Sequence, residues 1–147
     1  VDRGVAAILM VVAGGFIALQ SPINSRLGHA VGALQGAFVS FAVGTLVLLV
    51  AAAVARGGLG RIGHVGEVNA IYLTGGILGA GYVTMALLSV RSLGTGGVIA
   101  ATIAGELTVG VLIDQLGLFG VQQQVITPTR VLGIVLLALG VALVVRS

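Results

Sequence analysis

The stretch from Gly96 to Ile113 constrains this chain most. It carries no charge except the carboxylic acid of Glu106, and as a helix its length spans the roughly 30 Å hydrocarbon layer of a bilayer. Glu106 would then lie deep in the membrane, where a carboxylate costs about 2.5 to 3.5 kcal/mol or more unless it is protonated, paired or wetted. An acid in that position is a functional candidate by default, and the remaining segments must house it.

Those segments are of the same kind. The chain is 58% hydrophobic and 7% charged, with a mean hydropathy of +1.22. It reads as a single transmembrane domain over residues 1–147, with no room for a large aqueous domain. Five spans are expected, at about 4–20, 32–55, 70–90, 96–113 and 131–145, giving an all-α integral membrane protein. Cysteine is absent, which excludes disulfides, thiolate metal sites and thiol nucleophiles. The seven basic residues are all arginines and are dispersed. They form no stripe for nucleic acid and suit anchoring of helix ends.

The run Gly4 to Gln20, behind Asp2-Arg3, has the outline of a signal peptide. Ala18-Leu19-Gln20 is a poor cleavage site, however, and four more hydrophobic segments follow, so it is read as the first span. Pro22 is expected to bend or break that helix, leaving carbonyls for water or substrate. Gln20 and Asn24 are four apart and share a face. In the second span Gly28, Gly32, Gly36, Ser40 and Gly44 place a small residue at every fourth position, which allows helix backbones to touch in lipid. Gly75 and Gly79 form a similar pair in the third span, beside Tyr82, whose ring either packs in the core or is presented to a cationic or flat substrate.

Between the second and third spans, Gly58-Leu59-Gly60-Arg61-Ile62-Gly63 has the spacing G-x-G-x-x-G. A dinucleotide site would need a preceding buried strand, and here a membrane helix precedes it, so a glycine-rich turn is expected. His64 and Glu67 are two candidate ligands in a solvated loop, too few to indicate a metal; neither metal nor cofactor is expected. In the fourth span Thr102, Glu106 and Gly110 share a stripe. Glu106 has a bland alternative, a neutral acid bonded to Thr102 or to a neighbouring helix. Asp114 closes that span on the unfavourable side of the helix dipole. Thr127-Pro128-Thr129 signals the start of the fifth, whose fifteen residues would cover only about 22 Å.

Five spans put the ends of the domain on opposite sides. Arg3, Arg56, Arg61 and Arg130 then fall on one side, and Arg26, Arg91 and Arg146 on the other. Orientation follows such arginine asymmetry, which is nearly absent here, so insertion in both orientations is expected. Two opposed copies would make an antiparallel homodimer. One chain would then supply both halves of an inverted repeat of the kind that transporters build around a midplane site.

The combination Gln20-x3-Asn24-x2-Leu27-Gly28, Ser40-Phe41-x2-Gly44-Thr45, Gly75-Gly76-x2-Gly79-x2-Tyr82, Ala104-Gly105-Glu106 with Ile113-Asp114, and Leu132-Gly133-x6-Gly140 resembles the YdcZ-type family of the drug/metabolite transporter superfamily. The likeness covers nearly the whole chain. It implies a five-helix half-transporter of the bacterial cytoplasmic membrane, occurring as dual-topology single chains, as oppositely oriented pairs or as fused ten-helix forms. The family pattern often has glutamine where Glu106 stands, so no coupling mechanism carries over from it. Small multidrug resistance proteins carry their essential glutamate in the first helix, which here has no acid beyond Asp2.

Taken together, these readings predict a membrane-embedded secondary transporter and not an enzyme, since no zinc-helix His pair, phosphate loop or nucleophile–base pair is visible. Glu106 is expected to carry the proton, with Gln20, Asn24, Tyr82 and Thr102 orienting a small organic solute. Gly32, Gly36, Ser40, Gly44, Gly75 and Gly79 are expected to pack helices. The partners expected are lipid, solute and a second copy or a paired paralogue. A small dual-topology channel with Glu106 tuning ion preference is the main competitor, followed by a membrane subunit that requires another chain.

Overall fold

A computed structural model describes residues 2–146. Among them every regular element is helical, because in hydrocarbon each backbone N–H and C=O must be satisfied within its own segment unless a barrel closes. Helix α1 spans Arg3–Val31 and α2 spans Ala33–Val54. The helical stretch Gly75–Leu116 is interrupted at Gly94, whose φ of 65° and ψ of 171° are not helical; its two arms are α3 (75–93) and α4 (95–116). Helix α5 spans Pro128–Arg146. Four stretches are thus long and apolar enough to cross a membrane, and the break at Gly94 divides the third to give five helices. The chain forms two compact units, Val1–Leu88 and Ser89–Ser147.

In the first unit, α1 does not end at Pro22. The helix runs through the proline to Val31, 29 residues in all, or about 43 Å at 1.5 Å per residue. Pro22 donates no hydrogen bond, so the carbonyl of Ala18 loses its intrahelical donor, but the helix is not broken. A single residue, Gly32, joins α1 to α2 with φ of 98° and ψ of 152°, a conformation that a side chain would strain. The Gly32 amide still donates to the Gly28 carbonyl at 2.9 Å, and the Gly36 amide donates to the Gly32 carbonyl at 2.8 Å, so Gly32 closes the last turn of α1 and opens the first turn of α2.

One turn to either side of Gly32 the helices meet backbone to backbone. A Cβ on Gly36 would lie 3.0 Å from both the N and the Cα of Gly28, and one on Gly28 would overlap Leu87 Cδ2. Ala37, Val83 and Leu87 form the buried apolar cluster, with Ala33 and Tyr82 packed on it. Phe41 reaches across from α2 to Gly79, its Cζ 3.3 Å from where a Cβ would be. Gly36 and Gly79 therefore sit at close contacts between helices. Gly32 is the junction itself. Gly44 and Gly75 face open space in the single chain, and Ser40 is half-buried.

The connection after α2 is not an irregular turn. Gly58–Glu67 is a ten-residue 3₁₀ helix, although such helices seldom exceed three or four residues. The reason is in the order of residues: Gly57-Gly58-Leu59, Gly60-Arg61-Ile62, Gly63-His64-Val65 and Gly66-Glu67-Val68 repeat with the three-residue period of the 3₁₀ turn. A shorter 3₁₀ segment, Ala70–Thr74, follows, started by Asn69, whose Oδ1 accepts from the Ile71 amide at 3.0 Å. No strand flanks the glycines, and no nucleotide-binding crossover is built there.

In the second unit α5 is longer than expected. Its 19 residues reach about 28 Å, because Thr127 caps the helix and Pro128 takes the first helical position, where a missing N–H costs nothing. That length comes close to the roughly 30 Å of the hydrocarbon layer.

Replacing Gly36 with Val should force α1 and α2 apart, destabilise the fold by about 1–3 kcal/mol as overpacking of this kind does, and so lower the thermal midpoint of the detergent-solubilised protein. Gly14, which has nothing within 4 Å of a Cβ position, should accept Ala without loss in the same melt.

Candidate functional site

Successive fourth residues of a helix lie on one face, so Glu106, Gly110 and Asp114 form a line along α4. Gly110 has no side chain and nothing within 4 Å of its Cβ position, which leaves space between the two acids. That space is part of a cleft of about 400 Å³ lined by Ile103, Glu106, Leu107, Gly110, Val111 and Asp114 of α4 and by Arg130 and Leu137 of α5. Its walls are otherwise aliphatic. Glu106 is exposed into it.

At one end the cleft is lined by an ion pair. Arg130 Nη2 donates to Asp114 Oδ2 at 2.5 Å, and the side chains are 33% and 25% exposed. Each residue is badly placed alone: Asp114 lies in the last turn of α4, where the carbonyl end of the helix dipole repels an anion, and Arg130 lies in the first turn of α5, where the amide end repels a cation. Pairing offsets both penalties. The second guanidinium nitrogen, Nη1, is buried with no acceptor among the described residues.

The loop between α4 and α5 holds this geometry. The Gln124 amide donates to the Asp114 carbonyl at 2.9 Å, and Gln123 Nε2 donates to the Gln115 carbonyl at 2.7 Å. Both acceptors are last-turn carbonyls that α4 cannot satisfy internally. Gln115 Oε1 in turn accepts from the Ile126 amide at 2.9 Å. Thr127 then opens α5, its Oγ1 accepting from the Arg130 amide at 3.3 Å and its carbonyl from the Val131 amide at 3.1 Å.

The residues expected to form a site fall in both units. Thr102 and Glu106 lie on α4; Thr102 is half-buried one turn before Glu106 and does not line the cleft. Gln20 and Asn24 lie on α1, Gln20 exposed and Asn24 buried at 8% exposure, the one buried polar side chain among the described residues. Tyr82, on α3, is half-buried and packed on the apolar cluster. Arg130 and Asp114 did not emerge as partners from the sequence. The available signal was that each sat at the wrong end of its helix, on the two flanks of one connection.

Elsewhere, His64 Nδ1 and Glu67 Oε1 are 3.2 Å apart, with side chains 73% and 75% exposed. Among the described residues, no group of three or more His, Cys, Asp or Glu could hold a metal ion.

Five apolar helices and an acid opening on an aliphatic cleft define a multi-pass membrane protein. The profile of the family described as "Putative inner membrane exporter, YdcZ" matches residues 5–143, and the chain belongs to that family. Its description is that of a transporter rather than an enzyme. No curated protein and no solved structure matches the chain.

Removing either partner of the Asp114–Arg130 pair, as Asp114→Asn or Arg130→Gln, should lower the melting midpoint, and the double variant should lose less than the sum. A double-mutant cycle should give a coupling of about 1 kcal/mol, at the top of the range for exposed pairs, as fits a pair about two-thirds covered. A coupling near zero would show that the loop hydrogen bonds hold α4 and α5 without it.

Proposed function

We propose that this chain is a bacterial inner-membrane secondary transporter that works as an antiparallel homodimer and exchanges protons for a small organic solute. The observation that carries the reading is the cleft of α4 and α5. Asp114 and Arg130 balance each other within it, which leaves Glu106 to set its net charge. A cationic solute and a proton then compete for one carboxylate, and that competition by itself couples their movements.

Gln20, Asn24, Tyr82 and Thr102 are assigned to orienting the solute, on their polarity and their places within apolar helices. The antiparallel arrangement rests on the near-equal split of arginines between the two sides of the five spans. In it, Gly44 and Gly75, open in the single chain, are available to a second copy. Inner-membrane residence and outward transport are supported by the family description.

The test is proton release from weakly buffered purified protein on addition of a panel of small organic cations, anions and neutral metabolites, with Glu106→Gln measured in parallel. Release by one chemical class, with a pH-dependent affinity that the variant lacks, is the expected result. Unchanged pH dependence in the variant would remove Glu106 from the mechanism. In proteoliposomes an imposed proton gradient should drive the same solute uphill; flux that only follows the solute gradient would make the protein a channel.

A further inference from the structure

The 3₁₀ helix Gly58–Glu67 plays no part in the proposed transport cycle, yet it is one of the most ordered patterns in the sequence. At three residues per turn, side chains three apart eclipse one another, so the segment presents three ridges. One is glycine only, at Gly57, Gly60, Gly63 and Gly66. A second carries Arg61, His64 and Glu67. The third is aliphatic, at Leu59, Ile62, Val65 and Val68. Its residues are 40%, 56%, 47% and 47% exposed, so the chain itself does not cover them.

Placement follows from the neighbours. The segment links α2, which ends at Val54, to the apolar helix that starts at Gly75, and it carries charges that are expensive in hydrocarbon. It therefore lies at the boundary between bilayer and water. There an exposed aliphatic ridge has acyl chains within reach, and a charged ridge meets headgroups. Among the charges, Glu67 is paired with His64, while Arg56 and Arg61 leave the segment positive.

We propose that Gly58–Glu67 is a surface anchor that lies in the plane of the bilayer, inserts Leu59, Ile62 and Val65 at the acyl boundary, and binds anionic phospholipid headgroups through Arg56 and Arg61. The glycine ridge gives it a flank without side chains, so the helix can sit flat between headgroups.

The absence of cysteine makes the test direct. Single cysteines at positions 59 to 65 of the full chain, carrying a small environment-sensitive fluorophore, are reconstituted into vesicles containing shallow nitroxide-labelled lipid. Labels at 59, 62 and 65 should be quenched strongly, and those at 60, 61, 63 and 64 weakly, a period of three. The wild-type protein should also retain phosphatidylglycerol over phosphatidylcholine when lipids co-purifying from mixed vesicles are counted, and Arg61→Gln should reduce that preference about fivefold, the factor for one basic residue near an anionic surface. Quenching without the three-residue period, equal retention of the two lipids, or an aliphatic ridge shielded from lipid and cross-linkable to a second copy would each overturn the proposal. None of these readouts depends on transport, so the anchor stands or falls apart from the function proposed above.

Discussion

Everything in this structure depends on one requirement: within hydrocarbon, a backbone polar group has no water to fall back on. Helices meet it internally, and the exceptions are few and local. Pro22 removes one donor and the helix carries the loss. Gly32 turns the chain while its own amide and that of Gly36 stay paired. Gly94 breaks a 42-residue helical stretch where a side chain would strain the backbone. At the end of α4 the work passes to Gln123 and Gln124, which supply donors to the carbonyls the helix leaves behind.

Charge is placed under the same economy. Asp114 and Arg130 are each on the wrong end of a helix, and each makes the other tolerable. The pair also fixes what remains: a cleft with aliphatic walls in which Glu106 determines the net charge. The separation of eight residues between the two acids, with Gly110 between them, keeps the paired acid and the candidate proton carrier distinct.

The helical class and the number of helices were legible because apolar runs of membrane length admit few other structures. Boundaries were less so. The end of α1 is not legible at Pro22, because a long apolar helix absorbs the one hydrogen bond the proline removes. The start of α5 is obscured because Pro128 and Thr127 are helix-breaking or polar in composition yet favourable as the first position and the cap. The 3₁₀ helix was hidden by its glycines, which suggest a turn by content; only their three-residue spacing reveals the order. Glu106 stood out at once as an acid in an apolar run. Asp114 and Arg130 did not, because pairing across sixteen residues needs the loop geometry, and the glutamines that set it look like an ordinary polar linker.

The one-residue link at Gly32 bears on how the chain enters the membrane. With no slack between them, and with Gly28 and Gly36 pressed together one turn from the bend, α1 and α2 cannot be released into lipid one after the other and paired later. A helical hairpin this tightly joined favours entry as one unit. Whichever way that hairpin faces is then settled for both helices in a single step.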